Sequence, residues 1–150
     1  MTSFATTDEV AGAVGSHLGY SDWLEITQER IDAFADATDD HQWIHVDPER
    51  ARAGPFGTTI AHGYLTLSLA VRFVDEIFSV GGVRMGVNYG TNKVRFVSAV
   101  PVGSKLRAGG VLAAVDETPG GLQATIDLTF EVEGAEKPAC VAQVLYRLYS

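Results

Sequence analysis

The sequence predicts an α+β domain, on three observations. From about Ile60 to Val80, Leu65, Leu69, Phe73 and Ile77 recur every four residues, with Leu67, Ala70, Val74 and Phe78 filling in around them. This is the spacing of one long apolar helix, and roughly 18 helical residues would span about 27 Å. Further on, Leu122, Ala124, Ile126, Leu128, Phe130 and Val132 alternate with Gln123, Thr125, Asp127, Thr129 and Glu131. Strict period-two alternation is the mark of a strand with one wet face. Finally, Gly81-Gly82 divides the chain: helical patterns dominate before the pair and strand patterns after it.

The elements follow in order. Thr7 with Asp8 and Glu9 starts a short helix carrying Val10, Val14 and Leu18. Asp22 to Ile26 reads as a short strand. Thr27 is placed to cap a helix with Glu29 in its first turn, and Ile31, Phe34 and Ala35 continue it toward Asp39. Asp47-Pro48 is a second start signal, for a helix that Gly54-Pro55 cuts short. The wide apolar arc of the long helix predicts burial on most of its sides. Arg84 to Phe96 is a strand interrupted at Gly90, and Val111–Val115 and Val141–Leu148 flank the alternating strand. Turn residues at Pro119-Gly120-Gly121 and around Gly134 make the connections short, so the strands pair antiparallel. Such a sheet, twisted and curled, can wrap a long central helix. No repeat or linker divides residues 1–150, which read as a single domain.

Composition narrows the function. The chain has 150 residues, 46% of them hydrophobic, and a formal net charge of −8. An acidic surface disfavours nucleic acid and anionic membrane as partners, because both need a basic face. No apolar stretch approaches the roughly 20 residues of a membrane span. The N-terminus, with its acidic residues, has neither the basic nor the apolar region of a signal peptide, and the expected compartment is the cytoplasm. The single cysteine, Cys140, allows no internal disulfide and lies in an apolar run that reads as a buried, inert thiol.

The densest chemistry is Asp39-Asp40-His41-Gln42-Trp43-Ile44-His45, between two helical signals and therefore expected as a loop. A carboxylate and an imidazole that converge on one substrate can divide the proton transfers of water addition. Competing readings exist. His41 and His45 stand four apart like the histidines of a zinc helix, but Gln42 replaces the glutamate that motif requires and no third ligand is evident. Asp39 or Asp40 alone would serve as a cap, and His45, between Ile44 and Val46, would serve as a core histidine. A second cluster, Gly57 to Tyr64, sits at the entrance to the long helix. There the Gly63 N–H could face a developing oxyanion, or Gly63 could simply permit close packing.

Phe34 to His45 resembles the hydratase signature of the MaoC-like family, which includes R-specific enoyl-CoA hydratases. Asp40 and His45 match its Asp and His. Ala51 and Ala61-His62-Gly63 follow at fitting distance, and Asn92-Lys93-Val94-Arg95-Phe96 and Pro101-Val102-Gly103 resemble its next strand. The resemblance covers about Ile26 to Gly103. It implies a hot-dog fold, Asp40 and His45 as catalytic residues, the Gly63 N–H on the thioester oxygen, and Gln42, Trp43 and His62 beside the substrate. It also implies a homodimer, an acyl-CoA substrate and an R-configured 3-hydroxyacyl product. No metal or other cofactor is expected, coenzyme A being part of the substrate. Asp39, Gln42 and Trp43 depart from the pattern's Gly, Asn and Pro, with Trp43 expected to narrow the acyl pocket. A hot-dog acyl-CoA thioesterase and a non-catalytic acyl-thioester binding subunit are the alternatives.

Overall fold

The computed structural model describes residues Met1 to Ser150. In chain order it contains β1 (Thr2–Phe4), α1 (Thr7–Ala11), β2 (His17–Tyr20), β3 (Leu24–Glu25), α2 (Gln28–Thr38), α3 (Trp43–Val46) and α4 (Pro48–Arg52). There follow α5 (Gly63–Ser68), α6 (Ala70–Ile77), β4 (Phe78–Val80), β5 (Met85–Phe96), β6 (Lys105–Thr118), β7 (Gly121–Val132) and β8 (Cys140–Tyr149). The main sheet runs β2-β6-β7-β8-β5, with β3 also on β6, and its pairings are antiparallel. The α+β reading holds, and so do the hairpins: Thr118 pairs with Gly121 across a turn in which Gly120 adopts φ 81°. β5 is interrupted as expected, with register shifts on both sides of Gly90–Thr91.

The helices lie against one face of this sheet. Phe73 meets Phe130 edge to face at 6.0 Å. Ile77 sits over Gly110, where any Cβ would come within 2.8 Å of its Cδ1 and 3.2 Å of Ile126 and Leu128. Gly110 thus lets the helix approach the sheet, and each such fully buried side chain contributes about 1.5–3 kcal/mol. Of the alternating residues of β7, Leu122, Ala124, Ile126, Leu128 and Phe130 are buried and Asp127 and Thr129 exposed, as predicted, whereas Thr125, expected on the wet face, is buried with the apolar set.

The long helix differs from expectation in extent and burial. It begins only at Gly63, because residues 59–61 are held extended: Ala61 N–H donates to Val100 O at 2.8 Å, and Ile60 bridges Pro101. It is divided at Leu69, although the N–H of Leu69 to Leu65 O and that of Phe73 to Leu69 O, at 3.1 and 3.0 Å, carry the bonding across. It ends at Phe78, where the chain turns extended and β4 pairs in parallel with β1. It is not buried on most sides: α6 buries Ala70, Phe73, Val74 and Ile77 but exposes Val71, Arg72 and Asp75. The polar residues break the apolar arc, and Arg72 pairs along the helix with Glu76 at 2.9 Å. The sheet therefore flanks the helix on one side instead of enclosing it. α1 stops at Ala11, leaving Val14 exposed and Leu18 in β2. Cys140 is fully buried, and burial pushes its thiol up to about 11.

Candidate active site

The site forms where α2 ends. Thr27 caps that helix as predicted, accepting from Arg30 N–H at 3.2 Å. At its other end Asp39 adopts φ 59°, ψ 23°, the left-handed conformation that glycine takes freely and aspartate tolerates. This reversal sends Asp40 back over the fold, where its Oδ1 accepts from Gln42 N–H at 3.3 Å. The segment expected as a loop then winds into the single turn α3, which carries His45 inward. α4 begins, as predicted, at Asp47 and Pro48, with the Asp47 carboxylate accepting from Arg50 N–H at 3.0 Å.

His45 is buried, and its Nδ1 lies 2.7 Å from the carbonyl oxygen of Ile60. A carbonyl only accepts, so Nδ1 carries the hydrogen and Nε2 of the neutral ring presents its lone pair. Ile60 is itself fixed by its N–H to Ile44 O at 3.0 Å. Burial holds the His45 pKa below its ordinary value of 6.5, aided by nearby His62 and opposed by the Ile60 bond and by Asp40. The lowered value keeps the ring a base.

Asp40, His45 and His62 converge, their side-chain donor atoms all lying within 4.8 Å of one another. These are also the residues close enough to hold an ion together. The His41–His45 pairing of a zinc helix does not form: His41 precedes α3 and turns outward to Asp36, 2.8 Å away, a bond that raises its pKa. His62 is almost wholly buried, with its ring stacked on that of His45. Trp43 packs toward α4, against Gly54 and beneath the Arg50 guanidinium at 4.5 Å, and Gln42 is exposed at the start of α3.

A cleft of about 280 Å³ opens beside His45, lined by Ile60, Ala61, Gly63, Thr66, Phe96 and Val100 among others. Gly63 is the first residue of α5, so its N–H has no acceptor within the helix. A Cβ at Gly63 would stand 3.0 Å from the Phe96 ring, so this glycine also permits close approach. Sequence reasoning missed Gln28. Its amide donates to His45 O at 2.7 Å and to Asp32 at 2.9 Å, and its oxygen accepts from Thr59 Oγ1 at 2.6 Å. A glutamine in a first helical turn carries no signal of such a role.

The chain is similar to known proteins over most of its length. Residues 9–128 match the model of the MaoC like domain. The chain is 55% identical over 148 residues to 3-hydroxyacyl-thioester dehydratase Z of Mycobacterium tuberculosis, covering 98% of both chains. It is 45% identical over 138 residues to nodulation protein N of Rhizobium leguminosarum bv. viciae, covering 89% of this chain and 85% of that one. In fold it is similar to the (R)-hydratase from A. caviae involved in PHA biosynthesis, with a TM-score of 0.74, 22% identity, and coverage of 90% and 96%. With most of its length matched and a full-length relative above half identity, the chain belongs to the MaoC-like dehydratase family, with the hot-dog fold.

Proposed function

We propose that this protein hydrates trans-2-enoyl-CoA to (R)-3-hydroxyacyl-CoA and catalyses the reverse dehydration. The observation that carries the reading is the buried His45, with its Nδ1 hydrogen committed to Ile60 and Asp40 beside it, on the wall of a largely apolar cleft that also holds Gly63. The similarity to a 3-hydroxyacyl-thioester dehydratase supports it.

In the hydration direction His45 Nε2 takes a proton from water as the water oxygen bonds to the β-carbon. The electrons of the double bond move toward the thioester oxygen, which the Gly63 N–H stabilises. The proton then passes from the imidazolium to the α-carbon, and one water has been added. Asp40 orients the water and offsets the imidazolium charge. No metal or redox group enters this sequence. Incubation with crotonyl-CoA tests it: the conjugated absorbance should fall without release of free thiol. Thiol release would indicate a thioesterase, and no change a binding subunit.

The same reading includes a homodimer in the cytoplasm. β5 ends the sheet as a 12-residue edge with almost every residue exposed, Met85, Val87, Tyr89 and Phe96 among them. An open apolar edge is stabilised by pairing with a second copy. A lone buried thiol suits a reducing compartment.

A further inference from the structure

We propose that His62 is a positioning residue that fixes Asp40 and His45 relative to one another, one ring serving both. The proposal rests on the hydration reading above and assigns His62 a role behind the catalytic pair instead of one on the substrate.

The geometry is specific. The His62 ring is 2% exposed, so almost none of it is open to an acyl group. Its Nε2 lies 3.0 Å from the main-chain carbonyl oxygen of Asp40, which can only accept, so Nε2 carries the hydrogen. The same nitrogen stands 4.0 Å from the Asp40 carboxylate. Its face stacks on the His45 ring, centroids 3.8 Å apart and planes 24° apart, while Phe34 lies against it at 5.0 Å.

Asp40 needs such a tie. It follows a residue in the left-handed conformation, its side chain is half exposed, and the hydrogen bond on that side chain is the 3.3 Å contact from Gln42 N–H. The His62 bond to the Asp40 main chain is the one that leads back into the core. His45, by contrast, is fixed along its edge by Ile60 and across its face by His62.

Packing alone does not account for a histidine here. Nε2–H is given to Asp40, and Nδ1 of the same ring is buried without a hydrogen-bond partner in the protein. A buried unsatisfied nitrogen destabilises the fold, and an apolar ring of similar size would avoid it. The Nε2–H on the Asp40 main chain gives the histidine a role that an apolar ring could not fill.

The test compares His62→Phe and His62→Gln with the unchanged protein on crotonyl-CoA. Phenylalanine keeps the stack on His45 and loses the N–H; glutamine places an amide N–H near the Nε2 position and loses the stack. Small displacements of catalytic groups cost on the order of 10²-fold in rate. His62→Phe should therefore lose about that much kcat with KM within about threefold, since ground-state binding is untouched. His62→Gln should recover about tenfold of that loss. Amide hydrogen exchange at residues 39–42 should quicken in His62→Phe and return toward normal in His62→Gln, a readout independent of turnover. Wild-type kcat in His62→Phe, or equal losses in both variants with unchanged exchange, would overturn the proposal. Inactivity of the unchanged protein on crotonyl-CoA would instead remove the reading of the reaction, and the exchange data would still show whether His62 holds the loop.

Discussion

The Nδ1–H of His45 donates to the carbonyl oxygen of Ile60 at 2.7 Å, and this bond decides which imidazole nitrogen is left for chemistry. Ile60 can serve because its own N–H is tied to Ile44, one residue before His45. The histidine is thus oriented by a segment whose position its neighbour fixes.

His45→Ala and Asp40→Asn should each lower crotonyl-CoA hydration by about 10²–10⁴-fold while circular dichroism stays native. Because both groups act on one water, the double variant should be little slower than the worse single one. A folded His45→Ala protein with near-normal turnover would remove His45 from the mechanism.

Burial holds the His45 pKa below 6.5, and the base must be neutral to work. The acid limb of kcat/KM should therefore have its midpoint below pH 6.5, as a pH series on crotonyl-CoA would show. Stability has the same sign: the unfolded chain binds this proton more readily than the folded one. The contribution is complete above 6.5 and is lost as pH falls through the folded value. Urea midpoints should fall between pH 7.5 and 5, and less steeply in His45→Ala.

Gly63→Val keeps the N–H and fills the approach to it. Its Cβ would press on the Phe96 ring, but Phe96 is half exposed and able to swing away. Turnover should fall about 10²–10³-fold, the loss expected for one oxyanion donor, with a modest change in Tm. Wild-type hydration by a folded Gly63→Val would place the thioester oxygen elsewhere.

Gln28→Leu should destabilise the protein, because it strips partners from the His45 carbonyl and from the Thr59 hydroxyl, buried at 1% exposure. Unsatisfied buried groups cost about 1–3 kcal/mol. For a chain of this size calorimetry should show Tm lower by about 2–12 °C. An unchanged Tm would mean that water replaces both bonds.

Val87→Lys, on the exposed edge β5, should shift the protein from dimer to monomer in light scattering, since an edge lysine opposes strand pairing. An unsubstituted protein that is monomeric and fully active would contradict the homodimer.

Much of this fold was legible in local pattern. The β7 alternation, the caps at Thr27 and Asp47, the break in β5 at Gly90 and the turn at Gly120 all express preferences that act over a few residues. The limits of the long helix were not legible. Its start was moved to Gly63 by hydrogen bonds from residues 60 and 61 to Ile44 and Val100, and its end to Ile77 by pairing of β4 with β1 from the chain's beginning. β1 and β4 are too short to carry a pattern of their own.

The sequence by itself determined which residues could do acid/base chemistry, because Asp40 and His45 stand five apart in a recognisable signature, with Gly63 a fixed distance on. Only the tertiary structure decided how they meet. It wound the predicted loop into α3, turned His41 out to Asp36, and brought Gln28, Ile60 and His62 to brace His45 from positions 15 to 17 residues away. Those contacts join segments that do not neighbour one another in sequence. Their partners are chosen by burial and by the need to satisfy buried polar groups, and neither is written in any local run of residues.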